Sequence, residues 1–220
     1  MSFRPGKQKK IFTANQLKKY LLALFGAAFA GLGMAFNSAA TLGNDPVAVF
    51  YDGIRNTANL SFSQLGIATN IINYSLIVVV FLINRKYVNI GTFIYTLPMG
   101  SFIDLGTLFY NSLKLPHTLP VQILTACMGC FLLYFGISIF ISLEVGVDPI
   151  TGVLLTLKEH FGCSYKVVKI TCDVITLITG ILLGGKFGVV TIASALVGGP
   201  LIELFSRINK KHILFWFKIT

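Results

Sequence analysis

Acidic residues are scarce in this chain: eight Asp and Glu stand among 220 residues, against 18 Lys and Arg, and only 12% of residues are charged. A soluble globular domain carries about twice that share, so an ordinary water-facing surface around a core is excluded. Histidine (three), cysteine (four) and tryptophan (one) are nearly as rare. His117 and His160 fall in loops expected on opposite sides, and Cys127-Met-Gly-Cys130 lies in an apolar run with no histidine nearby. That pattern recommends no metal site. There is no Ser/His/Asp set, no phosphate loop and no metalloprotease helix. The residues point to neither an enzyme nor a cofactor.

What the chain has instead is apolar length. The hydrophobic fraction is 55% and the mean hydropathy +0.78. Six apolar runs of bilayer-crossing size can be placed at 18–41, 62–84, 90–110, 121–143, 165–185 and 189–206. With no barrel-like alternation, the backbone must satisfy its own hydrogen bonds as helices. The chain is also written twice. A shift of 103 residues lays Gly33 on Gly136, Gly43 on Gly146, Asp45-Pro46 on Asp148-Pro149 and Ser61 on Ser164. Further on, a shift of 99 lays Thr92 on Thr191, Gly100 on Gly199 and Ile103 on Ile202. Three crossings per copy would turn the second copy upside down, an arrangement found in many solute transporters.

The expected fold is therefore an all-α polytopic membrane protein: six transmembrane helices as two inverted three-helix repeats, with paired short helices and broken helices. A basic cytoplasmic segment (1–17) precedes the first repeat (18–110). The second repeat (121–206) is followed by a cytoplasmic interfacial tail (207–220). Basic residues set the orientation. All but Arg55, Lys114 and Lys186 of the 18 fall on one side of a six-span plan, which puts both termini in the cytoplasm. The net charge of +10 reads as topology and attraction to lipid headgroups, not as nucleic-acid binding. The basic start, the run Tyr20–Phe36 and the small residues at Ser38–Ala40 resemble a signal peptide. The repeat argues that this segment is retained, because it pairs with the fourth span.

Two pairs of features carry the functional expectation. Leu42-Gly43-Asn44-Asp45-Pro46 and Val145-Gly146-Val147-Asp148-Pro149 each stop one helix and start another, with Asp as N-cap and Pro at N1. The short helices that follow, about 46–58 and 149–161, cannot span. They could be plain punctuation, or they could aim their N-termini into a shared cavity. The third and sixth runs hold Pro98/Gly100 and Gly199/Pro200 near their middles, with Asp104 and Glu203 four residues after the shared glycines. Interrupted spans at matched places point to a midplane site, so Gly100 and Gly199 are expected to meet there. A carboxylate inside a span is a functional candidate by default. Arg207, four residues beyond Glu203, and Lys169, four before Asp173, offer structural partners. Asp104 has none at helical spacing. Asn70 matches Asp173 across the repeat. The candidate substrate- or ion-binding set is Asn70, Gly100, Asp104, Asp173, Gly199, Glu203, Asp45 and Asp148, while Asp52 is expected in an exposed segment where a change is mild. Small-residue ladders at Ala23/Ala27/Gly31 and Gly180/Gly184/Gly188 allow close helix packing, or docking to a partner membrane subunit.

The Leu-Gly-x-Asp-Pro step, Ile90-Gly91-Thr92 and Gly199-Pro200-Leu-Ile-Glu203-Leu-Phe resemble the YczE/YyaS/YitT family of bacterial membrane proteins over about residues 18–206. The resemblance implies a multi-span inner-membrane protein, with Gly43, Pro46, Gly91, Thr92, Gly199, Pro200 and Glu203 as family positions. The second junction lacks the Gly-Pro-Arg-Asp form associated with many members. The expected function is a secondary transporter or facilitator of a small polar solute, with proton coupling through Asp104, Glu203 or Asp173 as one option. The alternatives are a substrate-capturing subunit of an energy-coupling-factor importer and a non-transporting scaffold. Expected partners are a small solute or ion, membrane lipids, and a second copy or partner subunit.

Overall fold

The computed structural model describes residues 14–216, and every regular element in them is helical. Eight α-helices follow one another: α1 (Ala14–Ala40), α2 (Pro46–Thr57), α3 (Leu65–Ile83), α4 (Ile90–Ser112), α5 (Leu119–Leu143), α6 (Pro149–Phe161), α7 (Tyr165–Leu182) and α8 (Val189–Trp216). Among the described residues, four segments are long and apolar enough to cross a membrane: Asn15–Ala40, Phe62–Ile83, Leu119–Leu143 and Val189–His212. The basic residues Arg4, Lys7, Lys9, Lys10 and Lys218 lie outside the described residues.

The order long, short, medium, long-with-proline occurs twice, and the tertiary contacts follow the same rule. α1 packs on α5 at the centre. α4 flanks α1 as α8 flanks α5, and α2 packs on α7 as α6 packs on α3. The α1–α5 crossing shows why glycine stands where it does. A Cβ on Gly26 would meet the Gly136 carbonyl oxygen at 2.8 Å, and one on Gly33 would meet that of Gly129 at 2.6 Å. The two helices therefore run antiparallel with backbones nearly touching, which only small residues permit. The four glycines are two pairs of repeat partners, 26 with 129 and 33 with 136, so each contact is the image of the other. Such reciprocity is what a two-fold relation produces. Ala23 and Ala27, both fully buried, belong to this face, so the first ladder packs inside the chain. The second ladder is internal as well, with Gly180 against Phe50, Gly184 against Asn56 and Gly188 against Leu42.

One expectation is corrected here. The proline-bearing helices are not broken: α4 continues through Pro98 and α8 through Pro200. A proline removes one internal hydrogen bond and bends a helix, and the flanking turns hold without interruption. Past position 207, α8 runs on to Trp216.

Candidate functional site

The two junctions form as their residues dictate. At the first, Gly43 adopts φ +96°, a conformation that favours glycine. Asp45 Oδ1 then accepts from the N–H groups of Val47 (3.0 Å) and Ala48 (3.2 Å). At the second, Asp148 Oδ2 accepts from Thr151 N–H at 3.0 Å and Oδ1 from the Thr151 hydroxyl at 2.5 Å. Each junction is bolted to the last helix of the opposite half. The Thr191 hydroxyl accepts from Asn44 N–H (3.2 Å), and the Thr92 hydroxyl donates to the Val147 carbonyl (2.7 Å). Both threonines are buried.

These bolts bring the two N-cap carboxylates toward one interior region. Asp45 and Asp148 both lie within charge-interaction range of Tyr51 on α2 and Tyr95 on α4. Tyr51, buried, donates to Asn73 Oδ1 at 2.7 Å. The field of Asp45 also includes Lys169 and Asp173 on α7, which pair with each other at 2.8 Å. Asp45 Oδ2 takes no hydrogen bond from any described residue, so one oxygen stays available. A polar track leads away from it: Asp45 N–H donates to Asn44 Oδ1 (2.9 Å), which also accepts from Asn37 Nδ2 (3.5 Å). It ends at a cavity of about 10 Å³ bordered by Asn37, Asn44, Asp52 and Lys186, room for about one water molecule.

The other expected site residues fall into separate places. Asn70, Gly100 and Asp104 meet on the α3–α4 contact, where Asn70 Oδ1 accepts from Gly100 N–H at 3.0 Å and Asp104 Oδ1 from Gly66 N–H at 2.9 Å. Asp104 thus has a structural partner that helical spacing could not reveal, because it caps the start of a neighbouring helix. Gly199 is exposed, with nothing within 4 Å of its would-be Cβ, and so does not share a cavity with Gly100. Glu203 pairs with Arg207 at 2.6 Å on an exposed face. Asp52 is the opposite of the exposed residue expected: 6% accessible, it pairs with Arg55 at 2.8 Å and accepts from Lys186 N–H at 2.9 Å. The 134-residue separation of Asp52 and Lys186 hides that contact from sequence reasoning.

Tyr51, Tyr95 and Thr191 were missed as site residues. Only Thr191 carried a signal, its match to Thr92. A surface cluster was missed as well. Glu159 on α6 accepts from Asn84 Nδ2 (3.0 Å), Lys86 Nζ (2.6 Å) and the Tyr87 hydroxyl. The Lys86 and Tyr87 donors pull its carboxyl down to about 2.

A helical bundle with several bilayer-length apolar segments and a polar interior defines an integral membrane protein. Residues 17–207 match the family model described as a family of unknown function (DUF6198), and the chain belongs to that family. It is 24% identical over 193 residues to the uncharacterized membrane protein YczE of Bacillus subtilis, covering 85% of this chain and 87% of that one. YyaS of the same organism is 21% identical over 196 residues, covering 89% and 96%. An uncharacterized Haemophilus influenzae protein is 23% identical over 193 residues, covering 88% and 85%. The resemblance to YczE and YyaS read from the sequence therefore holds. No solved structure matches the chain.

Proposed function

We propose that this protein is a secondary transporter or facilitator of a small polar solute, built from two inverted three-span repeats with both termini in the cytoplasm. The observation that carries the reading is the pair of repeat-related N-cap carboxylates, Asp45 and Asp148, each opening a short helix at a junction that a buried threonine ties to the opposite half. Charged groups inside an apolar bundle are costly and mark solute or ion pathways. Antiparallel packing of repeat partners α1 and α5 supports the inversion, as do the reciprocal bolts from Thr92 and Thr191. In this reading α4 and α7 complete the six crossings, and α2 and α6 enter the bundle without crossing. Binding the solute between the halves lets each half move against the other about one fixed site.

The test is a thermal-shift screen of detergent-purified protein against sugars, amino acids, amines, nucleosides and simple ions, followed by uptake of each hit into proteoliposomes. A true ligand raises the melting temperature by mass action, and Asp45→Asn should remove that rise. Ligands that stabilise Asp45→Asn as well as wild type would move the site elsewhere. Binding without uptake would sink the carrier reading. Orientation is checked by labelling Lys114→Cys in a chain without its native cysteines: modification from the cytoplasm alone would refute it.

A further inference from the structure

α1 and α4 pack tightly at one end and part at the other. Two glycines set the tight end: a Cβ on Gly31 would lie 2.6 Å from that of Phe102, and one on Gly106 would lie 2.8 Å from that of Ala35. Gly31 meets Phe102 and Ala35 meets Gly106, so the helices run parallel and start at the same end of the bundle. Toward those starts the facing residues are bulky, and bulky side chains keep backbones apart. Leu17, Leu21 and Leu24 on α1 and Ile90, Phe93 and Leu97 on α4 line a groove of about 350 Å³ between them. Leu17, Leu21, Ile90 and Leu97 remain more than half exposed there.

The open end is also the basic end. Lys18 and Lys19 follow Leu17 in the chain, and Arg85 and Lys86 come shortly before Ile90. Lys86 is held by Glu159 at 2.6 Å, and Lys19 lies in the field of Glu144. Lys18 and Arg85 are exposed and have no carboxylate partner among the described residues. The Arg85 guanidinium rests 4.8 Å from the centre of the Phe81 ring. The repeat copies the apolar positions but not this charge. Leu21 falls on Leu124 and Leu97 on Leu196, whereas Lys18 and Lys19 fall on Val121 and Gln122, and Arg85 and Lys86 on Gly184 and Gly185. The duplicated fold therefore does not call for these cations. An apolar cleft with unpaired cations at its end matches the two parts of one molecule, an acyl chain and a phosphate. We propose that the α1–α4 groove binds an anionic phospholipid, with one acyl chain between Leu21 and Phe93 and the headgroup phosphate against Lys18 and Arg85. The site needs no transported solute and stands or falls apart from the carrier reading.

The test uses full-length protein with a single tryptophan in the groove (Trp216→Phe with Phe93→Trp) in phosphatidylcholine vesicles. Part of the lipid carries bromine on its acyl chains, which quenches tryptophan on contact. The brominated lipid is phosphatidylglycerol in one series and phosphatidylcholine in the other. A second protein carries its tryptophan at the repeat partner (Trp216→Phe with Ile192→Trp), and Leu97→Trp with Leu196→Trp gives another pair of reporters should the first fold poorly. Both lipids should quench position 93, with phosphatidylglycerol favoured roughly fivefold, and position 192 should show no preference. Lys18→Gln with Arg85→Gln should bring the preference at 93 close to one. Either change alone should lower it by about half if the double variant inserts poorly. No quenching at 93 by either lipid would mean that a second copy or the chain's own first residues fill the groove, and would overturn the site. Equal quenching by the two headgroups, or an equal preference at 93 and 192, would reduce it to ordinary boundary lipid. A preference untouched by the glutamine variants would overturn the headgroup contact.

Discussion

The α3–α4 seam and the α7–α8 seam start from the same plan and end differently. The first is closed by glycine against glycine, with Asn70 and Asp104 accepting from backbone N–H groups across the contact. In the second, the same positions hold Lys169, Asp173, Gly199 and Glu203, and each charged residue finds its partner on its own helix. The linker between α7 and α8 is pinned to α2: Lys186 N–H donates to Asp52, and Asn56 Nδ2 to the Leu183 carbonyl at 3.3 Å. Helix pairs in a membrane lack a hydrophobic drive to associate, so losing close backbone approach and cross-helix polar contacts is enough to part them. The α3–α4 seam is closed by backbone contact, whereas α7 and α8 barely touch.

The sharpest way to break the comparison is at its paired glycines. Gly66→Leu should overpack the closed seam and cost about 3 kcal/mol or more, while Gly199→Leu should leave the melting temperature within a degree or two. Equal melting temperatures for the two variants would show that the seams are alike. Next in size is the linker pin. Asp52→Ala leaves Arg55 and the Lys186 N–H without their buried acceptor, and removing one member of a buried pair costs about 3 kcal/mol. Thermal melts of this variant beside wild type will decide it, and a loss under about 0.5 kcal/mol would return Asp52 to the surface role expected from sequence.

Asp104→Ala removes the cap on α3 and should cost about 1 kcal/mol, whereas Glu203→Ala breaks only an exposed pair and should cost no more than about 0.5 kcal/mol. Asp104→Asn keeps an acceptor and should sit close to wild type in melts. The smallest effect belongs to Glu159. Its folded carboxyl titrates at about 2, below its ordinary 4.5, so its contribution is present above pH about 4.5 and is lost as pH falls toward 2. Between those values wild type should lose slightly more stability than Glu159→Gln. Parallel curves would mean the surface cluster adds nothing.

Much of the helix plan was legible in the sequence because caps and apolar runs are local. The short helices begin at Pro46 and Pro149, where Asp-Pro placed them. The midplane expectation failed for a physical reason: Pro98 and Pro200 weaken a helix without deciding which way it faces. Facing depends on the neighbouring helix: Gly100 lies against Gly66, whereas Gly199 faces open space. Tyr51 and Tyr95 were invisible as a pair, because nothing in their spacing says that Asp45 and Asp148 would come to share them.

The crossed pairing of α1 with α5 also bears on how the chain is made. The glycine face of α1 is complete when its residues enter the bilayer, yet its partner face on α5 lies about a hundred residues later in synthesis. Until then Gly26 and Gly33 lack their partners on α5, and the Gly43 junction lacks the hydroxyl of Thr191. Contacts so distant in sequence are paid for late. A ribosome releasing this protein therefore delivers a half-built bundle whose first helices wait on the last, and neither half expressed alone would hold the other's bolts.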